Sequence, residues 1–372
     1  MEILNRHLQR LRNKMMDSYR FGAGRYIQEN GALDQIGAEV LRYGHRPYVI
    51  GGNTALEKTR QRIEASFQRE NLGYVVEAFS GYPSRQKIEE LKQSIQREAC
   101  DVLIAAGGGR IMDLAKGAAF ELEIPIVAVP TQAATCAAFS PLSVLYTPEG
   151  KSDDYIQYEY EVNEVIVDEQ VMLSQTPRLL AAGILDAMAK YVEIETLHPH
   201  VLDEHTSIAR HSAFYMAKYT YDVLKEKGPR AVADLKAGNW TKDLNDVVYV
   251  NIALTGIISA MMQGRGQTAL AHDFNNAMHK NFLEVIKSWL HGEGVAVGML
   301  AQLIYNEEKE RVQELHSYMQ AFDMPCSLKE LGMVLSEENV ELLYQKLCAY
   351  EFMTHDKKHE ELLKQAVEEI RE

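Results

Sequence analysis

Two groups of residues in this sequence have types and spacings that could do chemistry. The first lies in DVLIAAGGGRIMDLAKGAAFELEIPIVAVPTQAATCAAFSPLSVLY, from Asp101 to Tyr146, where an apolar run leads into Gly107, Gly108 and Gly109. Glycines let backbone N–H groups approach a diphosphate closely. The helical spacing that opens near Arg110 adds unpaired N–H donors and about half a positive charge. Arg110 brings a guanidinium to the same place. The spacing is neither G-x-G-x-x-G nor G-x-x-x-x-G-K-[ST], and a triple glycine after a strand also reads as a plain strand-to-helix turn. On spacing alone, phosphate cradle and bare turn both stand.

The second group lies in the later half. Asp186 follows a glycine in LAAGILDAMAKYVE, His272 sits in the alanine-lined TALAHDFNNAMH, and His291 opens the glycine-containing HGEGVAVGM. One carboxylate and two imidazoles with an open position suit a catalytic zinc or related divalent ion. Such an ion would polarise a carbonyl or lower the pKa of an alcohol. Yet the chain has 12 histidines, His198, His200, His205, His279, His355 and His359 among them. A single Asp or His on a helix usually caps it, meets solvent or is satisfied in the core. Separation along the chain does not rank these candidates.

The elements that must position both groups are readable as patterns. RPYVIGG, LGYVVEAF, DVLIAAGGG, IPIVAVP and EVIVD are strand candidates, separated by helical spacings such as QKIEELKQSIQREAC, so a parallel sheet with βα alternation is predicted up to about Val167. PLSVLYTPEGK reads as a hairpin strand and turn. After Thr176-Pro177 long amphipathic helices take over. At 372 residues the length favours two domains.

Composition excludes several classes. With 46% hydrophobic and 25% charged residues the chain is globular rather than disordered. A formal charge of -14 argues against nucleic acid and acidic membrane surfaces, leaving a small molecule as the expected partner. The 4 cysteines, Cys100, Cys136, Cys326 and Cys348, form no C-x-x-C pair and fit a reducing cytoplasm. Apolar runs such as IALTGIISAMM fall short of a bilayer span. The basic RHLQRLRNK near the start reads as a surface helix or arm rather than a transit peptide.

GGGRIMDLAK, IPIVAVPT, TQAATCAAFSPLSVLY, GILDAMAKYVE, ALAHDFNNAMH and HGEGVAVG follow one another here in an order that resembles the metal-dependent, group III (iron-type) alcohol dehydrogenases. The nearest branch looks like glycerol dehydrogenase and its hydroxycarboxylate dehydrogenase relatives. FGAGRYIQENGALDQIG is similar to the family's opening strand and turn, so the resemblance covers nearly the whole chain. It implies a Rossmann-like α/β dinucleotide-binding domain over residues 1–167 and an all-α metal- and substrate-binding domain over 168–372, a dehydroquinate synthase-like architecture with its site in the cleft between them. By the same resemblance, Gly52 ends the adenosine-side strand and Gly107, Gly108, Gly109, Arg110 and Ile111 match the diphosphate loop. Thr131, Gln132, Ala133 and Ala134 match the nicotinamide-side turn, and Ser140, Leu142 and Tyr146 match further cofactor contacts. Asp186, His272 and His291 inherit the metal role and with it the catalytic one.

Departures from the family pattern refine the expectation. Glycerol dehydrogenases carry an aspartate where this chain has Cys136. A neutral thiol no longer repels a substrate carboxylate, and TCAAFSPLSV resembles the branch that interconverts 2-oxo and 2-hydroxy acids. Cys136 is expected beside substrate as a packing thiol rather than a nucleophile. NAD-preferring members end RPYVIGG with an acid, whereas Gly51, Gly52 and Asn53 stand here, so NADP(H) is acceptable alongside NAD(H). Lys190 replaces the histidine that the iron-binding branch places one turn after its aspartate, which favours zinc over iron. Asn275 and Asn276 stand where relatives carry a second histidine, with His279 further on. The expected protein is a cytoplasmic, homo-oligomeric NAD(P)-linked oxidoreductase. A polyol dehydrogenase, a dehydroquinate synthase-like cyclase and a catalytically silent binding protein are its rivals.

Overall fold

The computed structural model describes residues 20–198, 207–262 and 265–372. The RHLQRLRNK segment, His200 and His205 lie outside the described residues. Among the described residues eight strands form: β1 Ala23–Glu29, β2 Pro47–Gly52, β3 Val75–Phe79, β4 Val102–Gly107, β5 Ile126–Pro130, β6 Leu142–Tyr146, β7 Ser152–Gln157 and β8 Val162–Asp168. Six of them make a sheet in the order β1-β8-β5-β4-β2-β3, and every pairing within it is parallel. β4 and β5 are buried along their whole length, which is why VLIAAG and IVAVP are unbroken apolar runs rather than alternating ones. β6 and β7 form the antiparallel hairpin expected from PLSVLYTPEGK.

Helices α1 Asn53–Arg69, α2 Arg85–Arg97 and α3 Gly109–Leu122 connect the strands. From β2 the chain moves outward to β3, then returns beside β2 as β4 and continues the other way to β5. The reversal puts the carboxyl ends of β2 and β4 next to one another, and a crevice at such a switch point is where doubly wound folds bind ligands. Gly52 ends one of these strands and Gly107 the other. A Cβ on Gly52 would lie 3.9 Å from Ile111, so the two ends meet across the crevice.

After Asp168 the regular elements of the described residues are all helical. α4 Pro177–Leu197 starts at Thr176, whose hydroxyl accepts from Leu179 N, with Pro177 in the first turn. There follow α5 Ile208–Lys236, α6 Lys242–Tyr249, a π-helical turn at Val250–Leu254, α7 Thr255–Met262, α8 Leu270–Asn281 and α9 His291–Tyr305. The continuous run Lys242–Met262 is long and apolar enough to cross a membrane by length and composition, and 67% of its most apolar window is buried within the protein. IALTGIISAMM alone looked too short because the π turn joins it to the preceding helix. One apolar cluster runs from Leu103 and Ala105 of β4 through Ala115 of α3 to Ile184 of α4 and Val295 of α9, tying sheet to helices.

Candidate active site

The glycine loop and the Pro-Thr turn leave the sheet side by side. Gly107 is in register with Pro130, and Thr131 N donates to the Gly107 carbonyl at 3.1 Å. Gly108 precedes α3 in an extended conformation without a side-chain cap, so the first N–H groups of a helix face the crevice. A Cβ on Gly108 would sit 2.3 Å from Gln132 Nε2, so a side chain here would push the Gln132 amide out of its place beside the loop. Arg110 lies over the Tyr82 ring, 5.0 Å from its centroid, and Tyr82 packs against Tyr146 at 5.5 Å. These three side chains border the loop on the β3 side.

Two residues that motif reading passed over hold the segment from Ser140 to Leu142. Lys116, 1% exposed, pairs with Asp113 at 3.2 Å and donates to the carbonyls of Ser140, at 3.1 Å, and Leu142. Ser140 and Leu142 are thereby fixed against α3. Burial pushes the Asp113 carboxyl up despite the Lys116 ammonium beside it. The one local signal was the i, i+3 spacing in DLAK.

The turn at Thr131 to Ala134 is clamped from the helical half. Gln175 Oε1 accepts from Ala133 N at 2.9 Å, and Asn251 Nδ2 donates to the Ala133 carbonyl at 2.9 Å. Asn251 belongs to the π turn, which redirects its side chain toward the cleft; such bulges are frequent at functional sites. A Cβ on Gly183 would fall 2.0 Å from the Ala133 oxygen, so α4 rests directly on the turn.

α4, α8 and α9 bring Asp186, His272 and His291 together, with one ligand atom of each within 4.8 Å of the others. Close helix approach makes this possible: a Cβ on Gly292 would lie 1.9 Å from the Ala182 oxygen, and one on Gly298 would lie 2.4 Å from the Ala271 oxygen. The remaining described histidines stand outside this group. His272 Nδ1 meets Glu193 Oε2 at 2.5 Å, while Glu193 Oε1 accepts from the backbone N–H of Ala269 and of His272. Burial works against the Glu193 carboxylate, but His272 and Lys190 hold it below its ordinary range. An anionic Glu193 accepts a hydrogen bond from Nδ1–H, which on the neutral ring leaves the lone pair on His272 Nε2.

That lone pair lies 3.2 Å from Asp186 Oδ1, and His291 Nε2 lies 3.5 Å from the same oxygen. Asp186 Oδ1 is buried with no hydrogen-bond partner. Its carboxyl is nonetheless held well below the usual range against the burial that would raise it, an effect the two rings exert only as protonated donors, so this oxygen calls for a positive partner, either ring protons or an ion. A buried carboxylate oxygen facing an imidazole lone pair needs a cation between them. Lys190 Nζ stands 3.1 Å from His272 Nε2 and carries a positive charge toward the same place. The donor chemistry therefore fits a divalent metal with oxygen and nitrogen ligands. Glu193 was visible in GILDAMAKYVE at i+7 from Asp186, on the same helix face.

Cys136 sits in the cleft, partly buried, where the charges of Asp186, Lys190 and Lys116 reach it. Burial first and Asp186 second push its thiol up to about 11, so it is uncharged at neutral pH.

Comparison with known proteins fits this geometry. The family model described as iron-containing alcohol dehydrogenase matches residues 23–169. Glycerol dehydrogenase of Thermotoga maritima is 30% identical over 329 residues, covering 87% of this chain and 88% of that protein. Hydroxycarboxylate dehydrogenase A of Escherichia coli is 29% identical over 289 residues, covering 78% of each. Among solved structures, a probable glycerol dehydrogenase from Sinorhizobium meliloti superposes with a TM-score of 0.83 at 22% identity, covering 95% of this chain and 98% of that one, and so shares the fold. Sheet, cleft and sequence together place this chain in the iron-containing alcohol dehydrogenase family.

Proposed function

We propose that this protein is a metal-dependent NAD(P)-linked oxidoreductase that interconverts a small 2-oxo acid and its 2-hydroxy form. Asp186, His272 and His291 would hold the ion, zinc rather than iron. When bound, it would supply Lewis acidity to the substrate oxygen during hydride exchange with the nicotinamide. The observation that carries this reading is the buried, unpartnered Asp186 Oδ1 facing His272 Nε2 at 3.2 Å.

The chain's own residues do the rest of the work. Gly107 to Ile111 and the first turn of α3 would receive the diphosphate, with Gly52 on the adenosine side. Thr131 to Ala134, with Ser140, Leu142 and Tyr146, would border the nicotinamide half. Gln175 and Asn251 hold the Ala133 backbone in place from both sides, so a nicotinamide resting there meets a fixed wall. Asn53 opens α1 where an acid would repel a 2'-phosphate, which supports use of NADP(H) as well as NAD(H). The uncharged Cys136 and the Lys190 ammonium support an acidic substrate over a polyol. Cytoplasmic residence and homo-oligomeric assembly, without nucleic-acid or membrane partners, belong to the same proposal.

The test follows NADH and NADPH absorbance with added Zn²⁺ against small 2-oxo acids, dihydroxyacetone and neutral aldehydes. Turnover with 2-oxo acids at least tenfold above dihydroxyacetone is expected. The reverse order would replace this reading with the polyol one, which the glycerol dehydrogenase relatives represent. Cofactor-neutral turnover of a phosphorylated substrate would replace both with a cyclase.

A further inference from the structure

The two imidazoles of the site are oriented by different partners. His272 has the Glu193 carboxylate behind it, whereas His291 Nδ1 lies 3.0 Å from the side-chain nitrogen of Asn275. Asn275 is 2% exposed, and its Oδ1 is buried with no hydrogen-bond partner. It stands one helical turn beyond His272, in the Asn275–Asn276 pair where the resemblance noted above places a histidine in relatives. A Cβ on Gly294 would fall 2.2 Å from Asn275 Oδ1, so the amide fits only because residue 294 has no side chain.

An amide has nearly the same shape in its two orientations, and hydrogen bonding decides between them. With the NH2 group toward His291, Nδ1 must accept and the proton sits on Nε2. His291 then has no lone pair for a cation, and Asn275 Oδ1 stays orphaned. With Oδ1 toward His291, Nδ1–H donates, Nε2 presents its lone pair beside Asp186, and the oxygen gains a partner while the NH2 group takes its place beside Gly294. We propose that Asn275 is a positioning residue whose Oδ1 accepts the Nδ1 proton of His291 and so fixes the tautomer that can ligate a metal. The inference rests on the metal reading above for its purpose, but its physical content is a tautomer.

Long-range ¹H–¹⁵N imidazole spectra of the metal-free full chain, with His291 assigned by His291→Gln, read the tautomer directly. Zn²⁺ affinity by chelator competition reads its consequence. Wild type is expected to carry the His291 proton on Nδ1. In Asn275→Ala that tautomer should become mixed and Zn²⁺ affinity should fall about 10- to 100-fold. Asn275→Asp, which keeps an acceptor, should retain both. A wild-type proton on Nε2 overturns the proposal whether or not Asn275→Ala folds. So does Asn275→Ala with unchanged tautomer and unchanged affinity. Equal Zn²⁺ binding by wild type and Asp186→Ala would instead sink the metal reading, and the wild-type spectrum would still decide the role of Asn275.

Discussion

At the residue level the site depends on acceptors without protons being held next to one another. On a neutral His272 the proton that Nδ1 donates to Glu193 leaves Nε2 as an acceptor beside Asp186 Oδ1. Glu193 also serves two backbone N–H groups, so its two functions can be separated by substitution. Glu193→Gln keeps an acceptor for the Ala269 and His272 N–H groups but removes the charge behind the imidazole. It should melt close to wild type while Zn²⁺ affinity, measured by chelator competition, falls about 10- to 100-fold. Glu193→Ala strands both N–H groups, at about 1–3 kcal/mol each, and should lower the melting temperature as well. Matching losses in the two variants would mean that Glu193 only supports the helix start. Cys136 offers a test by pH. Its thiol is pushed up to about 11, and the thiolate is the nucleophile. Alkylation of Cys136 by iodoacetamide, followed by peptide mass spectrometry, should therefore be slow at pH 8 and rise about tenfold per unit toward pH 11. A rate already at its plateau at pH 8 would show an activated thiol and reopen the nucleophile role.

Elements position the site through contacts that leave no room for a side chain, and two glycines show how the consequences differ. A Cβ at Gly108 meets the flexible end of Gln132, whereas a Cβ at Gly183 meets the backbone oxygen of Ala133 at 2.0 Å. Gly108→Ala should fold with little change in melting temperature and lose dinucleotide affinity by tenfold or more, measured by NADPH fluorescence titration. Gly183→Ala should lose roughly 1–3 kcal/mol or more of stability, because backbone cannot swing aside as a side chain can. Equal destabilisation of the two would mean that the Gly108 loop is as tightly packed as the helix contact. The same distinction explains what could be read in advance. β4 and β5 were legible because strands buried on both faces are apolar throughout, and the glycines of HGEGVAVG were legible as a motif. The pairing of β1 with β8 was not, since it joins Ala23 to Val162 with no local pattern to announce it. Asn251 was equally hidden, because a π turn shifts the helix phase and regular spacing points its side chain elsewhere. The 12 histidines could not be ranked from spacing, because helix crossing rather than spacing along the chain brings His272 and His291 to Asp186.

On the scale of the whole molecule, the formal charge of -14 sets a background field that opposes the proposed ligands, since a 2-oxo acid and NADPH are both anions. Close to the site the balance is different: Lys116 and Lys190 are buried beside Asp113, Glu193 and Asp186, and an ion held by Asp186, His272 and His291 would turn that near-balance positive. The two fields act over different distances, so salt separates them. Raising ionic strength from about 0.01 M to about 0.15 M shortens the Debye length from about 30 Å to about 8 Å, which removes long-range repulsion but leaves contacts inside the cleft largely intact. The value of kcat/KM for a 2-oxo acid should therefore rise over that range, while a neutral aldehyde assayed beside it should change little. A fall for the acid would mean that the cationic cleft already steers substrate from a distance, so that Lys190→Met should abolish the salt dependence. No difference between acid and aldehyde would mean that the substrate enters uncharged, and the argument for a carboxylate built on Cys136 would fail with it.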